Sequence, residues 1–258
     1  MNNTFEMSRF GNLLRRQVQE FGKIYLISLG ILVGVLVLIY FLNAPNYKNP
    51  SIEDLNMYFR YPTFITLCFL FISVTSSAYF ASLGNKPRAI IEIMLPCSRI
   101  EKFLAGILFS AILTTISFLA IFFIMDQVMI LYISSNMVEK QEILGFWQIL
   151  KSSDAYPYFI YPSLVIFLLI SSLYMTGSIY FEKYHFLKTS ISLMIIISAL
   201  SWAIFKTSRF LFDGKFRKQT TNVNLDGNEL ALIISGVLLL VTLFIWYVGF
   251  VRLKEKEV

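Results

Sequence analysis

The sequence predicts an all-α integral membrane protein in which residues 1–258 form a single transmembrane domain. The chain is 57% hydrophobic and only 15% charged, whereas a soluble domain is about one-quarter charged. A transmembrane helix needs roughly 20 apolar residues to cross about 30 Å of hydrocarbon, and six windows qualify without containing any Asp, Glu, Lys or Arg. The six predicted spans are residues 24–42, 62–83, 103–124, 157–181, 189–205 and 230–250.

Residues 5–22, before the first span, predict an amphipathic helix at the membrane surface. On a helical wheel the apolar side chains separate from the basic and polar ones. A helix of this kind lies in the lipid headgroup layer, although the composition also fits a disordered basic flank. The apolar face holds Phe10, Leu13, Leu14, Val18 and Phe21, and the opposite face holds Arg9, Asn12, Arg16, Gln19, Glu20 and Lys23.

The distribution of basic residues predicts a multi-pass protein of the cell membrane with both termini in the cytoplasm. In this orientation the inner segments hold 13 Lys and Arg in 57 residues, and the outer segments hold 9 in 75. Basic residues accumulate on the cytoplasmic side of membrane proteins. One outer loop, 206–229, opposes this orientation with five basic residues. The net charge of +6 is interpreted as contact with anionic membrane lipid, not as nucleic-acid binding.

The second predicted span is rich in small and hydroxyl-bearing side chains. Such residues allow neighbouring helices to approach closely and to hydrogen-bond with each other. Packing within the chain is the favoured use, and a dimer interface is the alternative. The residues concerned are Ser73, Thr75, Ser76, Ser77, Ala78, Ala81 and Ser82.

The segment between the second and third spans is the most informative part of the sequence. An amphipathic stretch at 88–95 precedes Pro96, which disfavours a continuous helix. Ser98 and Glu101 then fit the capping box S-x-x-E, in which each side chain accepts the backbone N–H of the other residue. We therefore predict two separate helices, 88–95 and 98–124, that meet at a corner, and we expect the segment 86–102 to contact a soluble cytoplasmic partner. A solvated loop whose Lys and Arg side chains face lipid is the alternative.

The remaining loops carry weaker signals. The outer loop 125–156 is predicted to be partly helical, and the outer loop 206–229 has turn signals that favour a small hairpin at 220–225. The inner turn 182–188 contains the single histidine of the chain, His185. One histidine without neighbouring ligands makes a poor metal site.

Enzymatic chemistry is not predicted for this chain. Neither H-E-x-x-H nor G-x-S-x-G occurs, and Asp126 and Asp154, near the outer surface, are expected to pair with basic groups. No ionisable residue lies in a span centre, which disfavours ion-coupled carriers and channels with charged filters. A path lined by Ser, Thr and Tyr suits an amphiphilic or lipid-like cargo. The P-loop pattern is also absent, so ATP hydrolysis is expected only in a partner, and no metal or cofactor is expected here.

Residues 92–106 carry a resemblance to a known family. They contain Leu-Pro-x-Ser-Arg after an apolar stretch, followed by a Glu-Lys pair and by Gly106. This pattern, together with six spans and an N-terminal amphipathic helix, resembles the permease subunit of ABC-2-type ABC transporters. Many members of that family have two re-entrant half-helices before the last span. Loop 206–229 is too polar and too charged for such a gate.

The resemblance implies how the chain would work. Residues 88–95 would form a coupling helix that docks on a cytoplasmic ABC ATPase, which would supply ATP and Mg²⁺. Residues 5–22 would be the connecting helix, and two permease copies, or two related permeases, would form a path for export. The expected ATPase-docking residues are Arg88, Ile91, Glu92, Leu95, Pro96, Ser98, Arg99, Glu101 and Lys102. A non-transporting scaffold or regulatory protein that binds a cytoplasmic partner through the same loop is the alternative.

Overall fold

The computed structural model describes residues 5–43, 59–80, 97–136, 145–148, 156–181, 183–211 and 227–256. All regular secondary structure in these ranges is helical, and six helices are long and apolar enough to cross a membrane. The predicted all-α chain with six long apolar helices is therefore confirmed. The helices are α1 (Met7–Leu42), α2 (Arg60–Tyr79), α3 (Arg99–Asn136), α4 (Tyr156–Tyr180), α5 (His185–Leu211) and α6 (Gly227–Lys256).

Helix α4 lies at the centre of the bundle. Its most extensive contacts are with α6, followed by those with α2 and α5, while α1 packs against α2 and α3. The main core is an aromatic cluster between α2, α3 and α4. By contrast, the most apolar windows of α5 and α6 are only 6% and 11% buried, so these helices expose most of their apolar surface, as lipid-facing helices do. The aromatic core includes Phe64, Phe118, Phe122, Phe146 and Phe167.

The N-terminal segment and the first span form one continuous helix, so the helix predicted at 5–22 is not a separate element, and its place at the membrane surface stays a prediction. Helix α1 has 36 residues and is therefore roughly 54 Å long. A lone glycine such as Gly22 costs a helix only about 1 kcal/mol, which is too little to break it. The predicted apolar face is confirmed at Leu13, which is buried, whereas Val18 is exposed. Protein covers this face near Leu13, where Cys97 and Ala105 pack against it.

Several helices extend beyond the predicted apolar windows, including the two helices that flank loop 206–229. Helix α5 continues to Leu211 and α6 begins at Gly227, so Lys206 and Arg209 belong to a helix and not to a loop. Their charged groups lie 4.9 Å and 5.9 Å from the ring centroids of Trp202 and Phe205. Long basic side chains can cover aromatic rings in this way. Charged residues can therefore be accommodated in the last turns of α5 without ending the helix. The predicted hairpin at 220–225 lies outside the described residues.

Helix α3 contains a π-helical segment that faces α2. The segment covers Leu108–Leu113, and the hydroxyl of Thr114 donates to the carbonyl of Phe109 at 2.9 Å. The hydroxyl of Ser76 in α2 donates across the interface to the carbonyl of Ser110 at 3.0 Å. Such π segments are frequent at functional sites. The predicted packing of the small hydroxyl residues within the chain is confirmed by the burial of Ser73, Thr75, Ser76 and Ser77.

Helices α4 and α5 are joined by a turn and approach each other closely beside it. Tyr184 has a φ of 55°, and α5 begins at the next residue, His185, so the turn is shorter than the predicted 182–188. A Cβ atom added to Gly177 would lie 2.1 Å from Oγ1 of Thr189. Glycine at 177 is therefore what permits this helix contact.

Candidate functional site at the base of the segment between α2 and α3

The predicted docking residues divide between described and undescribed parts of the chain. Lying outside the described residues are Arg88, Ile91, Glu92, Leu95 and Pro96, together with the corner predicted there. Described at the start of α3 are Ser98, Arg99, Glu101 and Lys102. The structure therefore characterises the two ends of the segment, at Phe80 and Cys97.

The capping box at the start of α3 is confirmed. The N–H of Glu101 donates to Oγ of Ser98 at 3.3 Å, and the N–H of Ser98 donates to Oε2 of Glu101 at 2.8 Å. Ser98 has extended backbone angles, as an N-cap residue should. These two bonds satisfy two N–H groups that the first turn of a helix leaves without partners.

The carboxylate of Glu101 also holds the start of α1. Its Oε1 accepts the N–H of Glu6 at 2.9 Å and lies 3.5 Å from Nη2 of Arg9. Glu6 is the N-cap residue of α1, so one carboxylate accepts N–H groups at the beginnings of two helices, where negative charge is favoured. The side chain of Glu101 is fully buried. Arg9 also pairs with the carboxylate of Glu6 at 3.0 Å.

An apolar contact continues this polar connection along the two helices. Leu13, Cys97 and Ala105 form a buried cluster, and Phe10 and Leu14 pack against it. The first turns of α1 are therefore fixed to the first turns of α3 by both charge and apolar burial.

The end of α2 joins the same region. The hydroxyl of Tyr79 donates to the side-chain oxygen of Gln17, and the rings of Tyr79 and Phe21 are 5.6 Å apart. The ring of Phe80 lies so close to α3 that a Cβ atom on Gly106 would approach it to 2.8 Å. Both ends of the segment between α2 and α3 are thus held by α1. We call this arrangement the loop-base junction, formed by Glu6, Arg9, Gln17, Tyr79, Ser98 and Glu101.

Burial changes the interpretation of three predicted docking residues. Glu101 is fully buried, and Ser98 and Lys102 are 5% and 8% exposed, so these side chains do not offer a polar surface to a partner. The physical reason is that the Glu101 carboxylate is occupied by the capping box and by α1. Arg99 is partly exposed. Docking through Arg99 and through the undescribed residues stays a prediction.

A second polar cluster lies at the opposite end of the bundle. Oδ1 of Asp126 accepts the hydroxyl of Tyr40 and lies 3.3 Å from Nη1 of Arg60, while Oδ2 accepts the N–H of Phe146 at 2.8 Å. The Arg60 and Asp126 side chains are 1% and 0% exposed. Asp126 does pair with a basic group, as predicted, but it lies inside α3 and not in a loop. We call these four residues the Arg60–Asp126 cluster.

Sequence patterns reveal only part of these two sites. The capping box is a local four-residue pattern, whereas Glu6 lies 95 positions from Glu101, and no local pattern joins them. Arg60 and Asp126 each lie at the edge of a predicted apolar window, and this shared position is the only signal that could have linked them. Within the described residues, no group of three or more His, Cys, Asp or Glu side chains could hold a metal ion.

No protein-family model matches the chain, and neither the curated proteins nor the solved structures contain a significant match.

Proposed function

We propose that the chain is the membrane-spanning subunit of an ATP-driven ABC exporter. It would form the translocation path together with a second permease copy or a related permease. A separate cytoplasmic ABC ATPase would dock on residues 88–102 and supply ATP and Mg²⁺. The observation that carries this proposal is the loop-base junction, in which one buried carboxylate joins the starts of α1 and α3.

The junction supports the proposal because it can transmit a force. An ATPase that closes on the segment between α2 and α3 must move the spans and not only the loop, and this requires rigid elements. Any displacement of Ser98 is passed to α1 through Glu101, since that carboxylate accepts N–H groups from both Ser98 and Glu6. The contact of Phe80 with Gly106 adds α2 to the same unit.

The interior of the bundle supports an amphiphilic or lipid-like cargo. Between the two end clusters, residues 103–125 of α3 contain no charged side chain. Hydroxyl groups of neighbouring helices contact this part of α3; the Ser76 hydroxyl, for example, donates to the carbonyl of Ser110. Hydroxyls and aromatic rings can contact a cargo with both polar and apolar parts, whereas a bare ion needs charged or closely spaced carbonyl ligands.

Co-purification from detergent-solubilised native membranes tests the proposal. The tagged wild type is compared with Arg88→Glu/Glu92→Arg and with Arg99→Glu. Lys254→Glu serves as the control because Lys254 is an exposed basic residue near the C-terminal end of α6, outside the segment 88–102. We expect an ABC ATPase to co-purify with the wild type and the control and to be lost from the other variants, all inserted equally well. If a different protein is captured through this loop, or no ATPase appears while known transporters stay intact, the scaffold alternative replaces the exporter.

A further inference from the structure

Residues 145–148, between α3 and α4, insert one aromatic side chain into the end of the bundle. Phe146 is fully buried, whereas its neighbour Trp147 is 42% exposed. The Phe146 ring centroid lies 5.2 Å from that of Phe64 in α2 and 5.2 Å from that of Phe122 in α3. It also lies 5.3 Å from the ring centroid of Tyr61. The Phe146 ring thus packs against rings of both α2 and α3.

Besides this ring packing, one side chain holds the backbone of these residues to the bundle. The N–H of Phe146 donates to Oδ2 of Asp126 at 2.8 Å, and the other oxygen of that carboxylate is held by Tyr40 of α1 and Arg60 of α2. A shift of α1 or α2 against α3 therefore changes the acceptor on which Phe146 depends.

A native reporter belongs to the same core cluster as Phe146. Cys68 lies one helical turn after Phe64 on the same face of α2, is fully buried, and belongs to the same aromatic cluster as Phe146. It is roughly 12 Å along α2 from the beginning of that helix. Further along α2, the hydroxyl of Ser76 contacts the π segment of α3.

We propose that residues 145–148 are a lid over the aromatic core between α2, α3 and α4, with the Asp126 carboxylate as its latch. When the Phe146 N–H is bound to the Asp126 carboxylate, Phe146 closes this face of the bundle. When α1 and α2 move and release it, Phe146 leaves and the column from Phe64 towards Ser76 opens. This rests on the proposed function for its purpose, since the lid would control exit of the cargo, but its existence can be tested without any ATPase.

The test measures the rate at which a small membrane-impermeant maleimide labels Cys68. Cys97→Ser, which removes the other cysteine, provides the background, and the reagent is added to intact cells and to inside-out vesicles. We expect slow labelling of the parent and at least tenfold faster labelling of Phe146→Ala, from one face only. Asp126→Asn should also label faster, because an amide oxygen holds Tyr40, Arg60 and the Phe146 N–H more weakly than a carboxylate does.

Two matched controls separate a lid from a loosened core. Trp147→Ala removes an exposed ring from the same residues, and Phe118→Ala removes a fully buried ring from the same cluster while leaving Phe146 in place. Both should label Cys68 at the parental rate. If Phe146→Ala does not fold, Phe146→Leu takes its place. Unchanged labelling of the folded Phe146 and Asp126 variants, or equal acceleration by Phe118→Ala, overturns the lid. The co-purification result tests the exporter separately.

Discussion

At the scale of single residues, the structure depends on a buried carboxylate that satisfies several donors at once. Glu101 accepts N–H groups from Ser98 and Glu6 and lies beside Arg9. A buried N–H group that loses its acceptor costs about 1–3 kcal/mol, so the energetic role of Glu101 comes from the donors that its loss would leave unpaired. The ion pair with Arg9 is secondary, because Arg9 is partly exposed and already pairs with Glu6.

We predict that Glu101→Ala lowers the free energy of unfolding by about 2 kcal/mol, since the buried N–H of Ser98 and the partly buried N–H of Glu6 lose their acceptor. Glu101→Gln should cost less, because a glutamine can also form the capping box, and Ser98→Ala should cost about 1 kcal/mol. Chemical unfolding in detergent micelles measures these differences. The control is Glu20→Ala, which breaks an exposed pair with Arg16 and should stay within about 0.5 kcal/mol of wild type. Equal effects of Glu101→Ala and Glu20→Ala would contradict the assigned role.

The sequence predicted residue roles only where they are local. Ser98 and Glu101 are three positions apart, so their capping box could be recognised as a pattern. The contact of Glu101 with Glu6 and that of Asp126 with Arg60 form only when the helices pack. The hydrophobicity pattern also did not predict the burial of Glu101, because a charged residue at the edge of a span is normally solvated.

At the scale of helices, the number of spans could be predicted but their ends could not. Apolar length and the absence of charge identify a span, and all six are present in the structure. Helical hydrogen bonding does not stop where charge begins, so α3 continues to Asn136 and α5 to Leu211. For the same reason, the charged and apolar halves of α1 form one helix.

Helix packing also makes a prediction for Gly177. A Cβ atom at this position would meet the Oγ1 of Thr189 at 2.1 Å and its Cγ2 at 2.6 Å, so Gly177→Ala should separate α4 from α5 and lower the melting temperature in detergent. Thr189→Ala removes both of those atoms and should restore much of the loss in the double variant. Gly236→Ala is the control, since nothing lies within 4 Å of the added atom. A Gly177→Ala variant as stable as this control would show that the helices are not in contact there.

At the scale of the whole molecule, two buried polar clusters lie at opposite ends of an uncharged bundle. Glu101 and Asp126 are 25 residues apart along α3, or roughly 37 Å, which exceeds the hydrocarbon thickness of about 30 Å. Each charged group can therefore lie near one membrane interface while residues 103–125 cross the apolar layer. In the exporter that we propose, the ATPase would act at the loop-base junction and the lid would lie at the far end.

This arrangement predicts which face of the membrane each end of α3 contacts. In a background of Cys68→Ser and Cys97→Ser, the exposed residues Ser8 and Ser135 are replaced singly by cysteine and treated with an impermeant maleimide. Ser135→Cys should be labelled in intact cells, and Ser8→Cys only in inside-out vesicles or after permeabilisation, because Ser8 lies beside the predicted cytoplasmic junction. The reverse pattern would invert the orientation and place the loop-base junction beyond the reach of a cytoplasmic ATPase. Labelling of both cysteines from the same face would mean that α3 does not cross the membrane.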